Sequence, residues 1–298
     1  MSVRCCASCG VEENDGSSNL TPCDACGLEL YCDEACQELH KPEHGAACRK
    51  RCGELDKILF QQPKCSHMGE CPICLLPLPF DEQKFTIFPC CCKTICNGCD
   101  YAIEGTEIGS GQDHNCPFCR HPVAETIEEV RRDVKKRVEK NDPAALRQMG
   151  RYLFAEGNES DGCEHLKKAA ELGDVEAHYL LCSVENDEKK VRKHLEKAAI
   201  AGHPYARHDL GCIEADKGRI KRATKHFIIA AGLGDDDSLK VIKENYANGI
   251  VSKEDLAAAL RSYQAAVEAM KSPDRDVAER EGRNTCIQWV RPVTLLDQ

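Results

Sequence analysis

The first 120 residues of this 298-residue chain contain cysteine and histidine side chains with the spacing of metal ligands, in two consecutive groups of eight ligands each. The first group comprises Cys6, Cys9, Cys23, Cys26, Cys32, Cys36, His44 and Cys48. The second comprises Cys71, Cys74, two residues of the Cys90, Cys91, Cys92 triplet, Cys96, Cys99, Cys116 and Cys119. Zinc takes four thiolate or imidazole ligands in a tetrahedron, and ligands two or three residues apart reach one ion from a tight turn. The sequence therefore predicts four structural zinc ions in closed sites, and no catalytic residue.

The distribution of cysteines indicates the compartment. Of the 23 cysteines, 19 precede residue 121. Their paired spacing, the histidine in the fourth pair and the lack of an apolar segment after Met1 favour metal binding over disulfides. No apolar run approaches the roughly 18 residues of a membrane span. We expect a reducing compartment, cytoplasm or nucleus, and no membrane partner.

Net charge bears on the class of partner. The chain carries −10 with a pI near 5.6, whereas nucleic-acid binders present a basic field. The one basic run, 131–137, is interleaved with acidic residues. We interpret it as a solvated helix face rather than a phosphate-binding patch, and expect no nucleic-acid partner.

The first group of ligands resembles a MYND-type zinc finger, on its full spacing and on the stretch from Cys36 through Pro42 and His44 to Cys48. The resemblance implies that the first and third pairs share one ion and the second and fourth the other. It also favours His44 over His40 as the imidazole ligand. Members of the family are protein-interaction modules that often dock proline-containing peptides, although the usual tryptophan is Lys41 here. The alternative is a zinc-stapled fold that only supports its neighbour.

The second group resembles a RING-type zinc finger, which opens with Cys71-Pro72-Ile73-Cys74 and closes with Cys116-Pro117-Phe118-Cys119-Arg120. The resemblance implies a cross-brace. One site would then comprise Cys71, Cys74, Cys96 and Cys99. The other would comprise Cys116 and Cys119 with two residues of the triplet. Spacing allows Cys90 with Cys92 or Cys90 with Cys91. RING relatives that read Cys-Cys-Gly-Lys favour the adjacent pair, with Cys92 at the glycine position.

The RING resemblance also implies a function. In that family the residue equivalent to Ile73 and the loop equivalent to the one at Pro117 contact a ubiquitin-conjugating enzyme. A basic residue at the position of Arg120 contacts both that enzyme and its bound ubiquitin. Such a ligase positions the thioester for lysine attack and supplies no nucleophile. The alternative is a non-enzymatic interaction scaffold, which would be favoured if the following helix or the MYND-like finger covered Ile73 and Arg120. A MYND-containing methyltransferase is excluded, because no glycine-rich loop for the methyl donor follows residue 120.

The chain after Arg120 changes to helical periodicity. Ile127, Val130, Val134 and Val138 form an apolar stripe that predicts a linker helix. An Ala-Ala phrase that ends in glycine then recurs at 169–173, 198–202 and 230–234, with a weaker copy at Ala265-Ala266. Small alanines let helices cross closely, and glycine ends a helix in a left-handed turn. We expect the histidines of this region to lie on helix surfaces.

This repeated phrase resembles Sel-like repeats, relatives of the tetratricopeptide repeat, and predicts the helix pairs 142–173, 174–202, 203–234 and 235–270. Such pairs stack into a solenoid that binds partner proteins; the alternative is a spacer. The predicted fold is therefore small zinc-stapled α+β modules followed by an all-α solenoid. The predicted segments are 1–52 (MYND-like finger), 53–70 (linker), 71–120 (RING-like finger), 121–141 (linker helix), 142–270 (repeats) and 271–298 (a tail without assigned function).

Overall fold

The structure, a computed structural model, describes residues 5–11, 20–23, 26–110 and 115–282. The chain divides into two compact units between Gln61 and Gln62. Small cysteine-rich modules come first and helical repeats follow, which confirms the predicted fold class. None of the helices in the described ranges is long and apolar enough to cross a membrane.

The first unit is a short hairpin followed by one long helix. Strands β1 (Thr21–Pro22) and β2 (Leu30–Tyr31) pair antiparallel, and α1 spans Glu34–Leu59. The Asp33 side chain caps α1 by accepting from the Cys36 N–H at 2.7 Å. The helix carries three ligands of the first group and continues through part of the segment predicted as a linker.

The second unit begins with the second cysteine module. Strands β3 (Phe85–Phe88) and β4 (Lys93–Cys96) pair antiparallel, and helix α2 (Asn97–Ser110) follows β4 directly. Phe85, Phe88 and Ile95 pack with the buried cysteines in one core. Because β4 ends at Cys96 and α2 begins beside it, the sheet and helix together position the third ligand pair.

The repeats follow a linker helix, α3 (Ile127–Val138), whose valines are buried at positions 130 and 134. The eight repeat helices are α4 (Pro143–Ala155), α5 (Glu159–Glu171), α6 (Val175–Leu181), α7 (Glu188–Ile200), α8 (Pro204–Asp216), α9 (Ile220–Ala231), α10 (Asp236–Ala247) and α11 (Lys253–Ala269). They pair as the sequence predicts.

The glycines, alanines and helix caps at the repeat boundaries also agree with the prediction. Gly173, Gly202 and Gly234 all have φ values between 91° and 97°, in the region that glycine enters without a Cβ penalty. The first alanine of each of the three phrases is fully buried. The side chains that cap the first helix of each pair are Asp142, Asp174, His203 and Asp235.

Consecutive repeats are joined through these caps. Arg147 of α4 donates to Asp174 at 3.0 Å, and His208 of α8 lies 3.4 Å from Asp235. Hydrogen bonding to Asp235 raises the pKa of His208 to about 10. At the equivalent place in α6, the Tyr179 ring lies 4.3 Å from the ring of His203. The residue that caps the third helix pair is therefore a histidine, whereas the caps of the neighbouring pairs are aspartates.

One further helix, α12 (Pro273–Arg280), lies in the segment predicted as a tail. It packs against α2 of the second cysteine module, and its Ala278 is fully buried. The tail prediction therefore missed a structural element. The rest of that segment, from residue 283, lies outside the described residues.

Candidate metal centres

The ligands of the first module form two groups. Cys6, Cys9, Cys32 and Cys36 make one, and Cys23, Cys26, His44 and Cys48 make the other. Within each group all ligand atoms lie within 4.8 Å of one another. His44 Nε2 is 3.1 Å from Cys26 Sγ, whereas His40 is hydrogen-bonded to the Tyr31 hydroxyl. The structure thus brings together the ligand sets that the MYND resemblance implies.

The second module shows the alternating pairing of a cross-brace. Its first group is Cys71, Cys74, Cys96 and Cys99, and its second is Cys90, Cys91, Cys116 and Cys119. The adjacent pair of the triplet is therefore the one brought to the site. Cys92, included among the candidate ligands, is not: it has φ +57° and packs with the core of the linker helix.

The spacing of the sulfur atoms tests whether zinc fits. Four thiolates about 2.3 Å from a tetrahedral zinc lie about 3.8 Å apart. Sulfur pairs in the second module are 3.8 Å apart for Cys71–Cys99 and 3.7 Å for Cys91–Cys116. These distances are far longer than a disulfide bond. The four groups fit zinc, whereas the number of ions bound stays a prediction.

A left-handed residue follows four of the five Cys-x2-Cys pairs, whereas the pair Cys96-x2-Cys99 runs into helix α2. These residues are Gly10, Gly27, Leu75 and Arg120, with φ between 59° and 75°. Each donates its N–H to the carbonyl of the first cysteine, at 2.8–2.9 Å. The turn aims backbone N–H groups at the sulfur. Burial opposes ionisation of Cys71, but backbone hydrogen bonds from Cys74, Cys96 and Ile73 outweigh it and lower the pKa to about 7. Thiolate is the form that binds metal.

The predicted surface residues of the second module face solvent. Ile73 is 43% exposed and Arg120 is exposed, while Pro117 is half-buried. Leu75, on the same loop as Ile73, is 68% exposed. The linker helix packs on α4 and also contacts the second module at Cys92 and at His121, which lies 2.9 Å from Asp133, but Ile73 and Arg120 stay exposed. Among the described residues of this unit, the surfaces of both zinc loops are open.

The segment before the second module docks on the boundary between the second and third repeats. The His67 N–H donates to the Gly202 carbonyl at 3.0 Å, and its ring stacks on His203 with centroids 4.3 Å apart. Nε2 of each histidine lies 3.0–3.1 Å from a carboxylate oxygen of Glu176. These hydrogen bonds outweigh burial and hold the pKa of Glu176 well below its usual value.

The His67–Glu176–His203 cluster is a fifth group of potential ligands within 4.8 Å of one another. Its hydrogen bonds argue against a metal. His203 Nδ1 accepts from the Ala206 N–H at 3.2 Å, so a neutral imidazole carries its proton on Nε2. A protonated nitrogen donates to Glu176 and has no lone pair for an ion. The cluster is a hydrogen-bonded junction.

Two other contacts join the second module to the repeats. Arg151 of α4 makes a bidentate ion pair with Glu82, at 2.5 and 3.0 Å. Phe80 packs edge-on against Tyr205 of α8, with centroids 5.2 Å apart. The repeats therefore hold the second module at several points along their length.

The basic run of the linker helix is paired within the protein. Arg131 bonds Glu156 at 2.6 Å and lies over the Tyr152 ring, and Lys136 bonds Asp133 at 2.9 Å. These charges are matched by nearby carboxylates, in keeping with a solvated helix face.

The expectation of surface histidines is wrong at two positions. His203 and His226 are 1% and 0% exposed. Burial, aided by the charges of nearby arginines, lowers the pKa of His226 to about 3. Sequence reasoning also missed α12 and its Arg275, which contacts the first zinc site of the second module. The pair Ser272-Pro273, a cap followed by proline, is the same start signal as Asp142-Pro143 and could have indicated this helix.

Comparison with known proteins bears on the first module. The family model for the MYND finger matches residues 6–48. No curated protein matches the chain. Among solved structures, a Sel1 repeat protein from Oxalobacter formigenes is similar at 17% identity and a TM-score of 0.41, covering 63% of this chain and 78% of its own. MamA is similar at 17% identity and a TM-score of 0.32, covering 60% of this chain and 97% of its own. The chain thus combines a MYND finger, further cysteine sites of zinc-finger type and helical repeats.

Proposed function

We propose that the second module is a RING-type finger and that the protein is a ubiquitin ligase. The observation that carries the proposal is the open surface of the two zinc loops. The cross-braced ligand groups hold two turns, which present Ile73 and Arg120 to solvent. Leu75 enlarges the apolar surface of the first turn. An apolar loop and a basic loop exposed on one module suit a conjugating enzyme that carries ubiquitin.

The chemistry would be catalysis by positioning. The conjugating enzyme supplies the cysteine thioester, and the ligase orders that thioester and its ubiquitin for attack by a substrate amine. In this arrangement Ile73 packs against the conjugating enzyme, with Pro117 supporting the second loop. The Arg120 guanidinium, a rigid fork of N–H donors, bridges the enzyme and ubiquitin. No residue of this chain forms a covalent intermediate.

The remaining modules would select the protein that receives ubiquitin. The MYND finger and the repeats are both of protein-interaction type, and tethering a substrate beside the RING-type finger raises its effective concentration. The repeats hold the second module through Glu82 and through the His67–Glu176–His203 junction. A substrate bound to the repeats would therefore have a defined position relative to the zinc loops.

The test is ubiquitin discharge from a panel of charged conjugating enzymes to free lysine, with the full-length protein. We expect acceleration by the wild type. We expect Ile73→Ala and Arg120→Ala each to slow the accelerated reaction by roughly tenfold, the equivalent of about 1.4 kcal/mol of transition-state stabilisation. Matched controls are Ile127→Ala and Arg132→Ala, because Ile127 is 44% exposed and the Arg132 side chain 62% exposed on the linker helix.

The alternative is a non-enzymatic scaffold in which both fingers only dock partners. It is favoured by the packing of the repeats and α12 against the second module, which would suit a fixed assembly surface. An inactive protein across a broad panel, with its zinc content intact, would support this reading. Equal loss of activity in the Ile73 and Ile127 variants would also count against the ligase proposal.

A further inference from the structure

The C-terminal helix brings a guanidinium to the first zinc site of the second module. Arg275, in the first turns of α12, donates from Nη2 to Cys74 Sγ at 3.5 Å. Its guanidinium also interacts with the thiol of Cys96, another ligand of the same group. The chain thus returns, after the whole repeat array, to two ligands of a site that it began to build at Cys71.

Backbone contacts fix this guanidinium in place. Nη1 donates to the Pro77 carbonyl at 2.9 Å and to the Met270 carbonyl at 2.7 Å. The Met270 bond ties it to the end of α11, and the Pro77 bond ties it to the loop that follows Cys74. A planar fork with five donors can make these bonds together, whereas a lysine ammonium on a flexible stem cannot reproduce the geometry.

The backbone of α12 approaches the module just as closely. A Cβ added at Gly98 of α2 would lie 2.6 Å from the Arg275 backbone nitrogen and 2.8 Å from the Asp274 carbonyl carbon. Only glycine at this position lets α12 reach the zinc site. The close approach and the directed guanidinium are independent observations that point to the same contact.

The electrostatics of a four-thiolate site explain why a guanidinium is useful there. Zinc with four thiolates carries a net charge of about −2, and partial burial strengthens its interaction with a nearby cation. N–H groups that donate to ligand sulfurs orient them and disperse their charge, and such outer partners commonly change metal affinity by about 10- to 100-fold.

We propose that Arg275 is a positioning residue of the Cys71–Cys74–Cys96–Cys99 site, through which α12 controls how tightly that site retains its metal. Displacement of α12 would then loosen one zinc site of the second module and leave the sites of the first module unchanged. The proposal rests on metal binding at these cysteines and is independent of the proposed ligase activity.

The test compares Arg275→Met and Arg275→Lys with Arg280→Met in the full-length protein. Arg280 is the matched control because it is exposed on the same helix and, among the described residues, its side chain bonds only the Asp276 carbonyl of that helix. Zinc release to a colorimetric chelator gives the rates at which each protein loses its metal ions. The cobalt-substituted proteins give the sulfur-to-cobalt charge-transfer band, which a loss of packing alone would not shift.

We expect one metal of the Arg275→Met protein to be released about 10- to 100-fold faster, with its charge-transfer band moved to lower energy because the sulfur loses a hydrogen bond. Arg275→Lys should fall between this variant and the wild type, and Arg280→Met should match the wild type. Release rates and spectra that are the same in the Arg275 and Arg280 variants would overturn the proposal. If Arg275→Met does not fold, a wild-type spectrum for Arg275→Lys would overturn it equally.

Discussion

The second cysteine module and the helical repeats belong to one compact unit but are stabilised in different ways. Half of the buried core residues of the module are ligand cysteines, namely Cys71, Cys96, Cys99 and Cys116. The first repeats bury leucines and alanines instead, such as Leu146, Leu166 and Ala169. The module therefore depends on metal for much of its stability, whereas the repeats depend on apolar packing. The two parts should respond to different perturbations.

Several contacts between the two parts are polar and directional. They include the Arg151–Glu82 ion pair, the junction at His67, Glu176 and His203, and the carbonyl bonds of Arg275. Polar contacts of this kind fix geometry more than they add stability. We infer that the repeats act as a frame that orients the module and that the two parts can be weakened separately.

Removal of zinc should give the largest difference between them. Chelation should unfold residues 1–120 and leave the repeats at 142–270 largely helical, because structural zinc sites contribute on the order of 10 kcal/mol or more to folding. Helix α12 should detach with the module it packs on. Far-UV circular dichroism with zinc quantification would measure this. Loss of the helical signal throughout the chain would contradict the claim that the repeats are stabilised independently of metal.

A single-ligand variant refines the same comparison. Cys71→Ser should lose the metal of one site, whereas Cys163→Ser, at a half-buried cysteine of α5, should keep full zinc content and near wild-type stability. Equal zinc content in both proteins would show that the Cys71 group does not hold an ion.

The sequence was informative where a structural feature is local. Ligand pairs two or three residues apart and the Ala-Ala-Gly phrases each act within one turn or one helix end, so their spacing predicts four cysteine-rich groups and four helix pairs. The docking of His67 on His203 and of Arg275 on Cys74 joins segments far apart in the chain. No periodic pattern marks such a pairing, since each partner also has an ordinary local explanation: His203 is a helix cap and Arg275 follows a serine cap.

Two equivalent glycines test how far the module and the repeats are coupled. Gly173 and Gly202 end equivalent helices with φ of 93° and 91°. An added Cβ at Gly173 meets nothing within 4 Å, while at Gly202 it would lie 2.7 Å from the Cys65 carbonyl oxygen. Alanine should cost about 1 kcal/mol at either position for the left-handed backbone. At Gly202 it should cost about 1–3 kcal/mol more, from the clash with the docked segment.

Urea unfolding of the two alanine variants, with limited trypsin digestion, would measure this difference. The exposed Lys64 lies in the docked segment, so cleavage after it should be faster in Gly202→Ala than in Gly173→Ala. Equal stabilities and equal cleavage would mean that the segment does not press on the repeat boundary.

The smallest expected effect concerns pH and the repeats. His226 is fully buried, faces Arg207, Arg222, Arg192 and Glu214, and has its pKa lowered to about 3, chiefly by burial. A histidine in the unfolded chain has a pKa near 6.5. Between pH 6.5 and 3 the unfolded state therefore binds a proton that the folded state does not, and the free energy of unfolding falls as pH decreases, by at most about 1.4 kcal/mol per pH unit for this residue.

The variant His226→Phe should reduce that dependence, because phenylalanine fills the site without a titrating group. Urea unfolding of the zinc-saturated protein at pH 7.5 and 5.5, followed by the helical signal, should show the variant losing about 1 kcal/mol less than the wild type. His208→Gln is the contrasting control. Hydrogen bonding to Asp235 raises the pKa of His208 to about 10, so its contribution is complete below pH 6.5 and is lost as pH rises toward 10. An unchanged acid slope in His226→Phe would mean that the repeats owe their acid sensitivity to other groups.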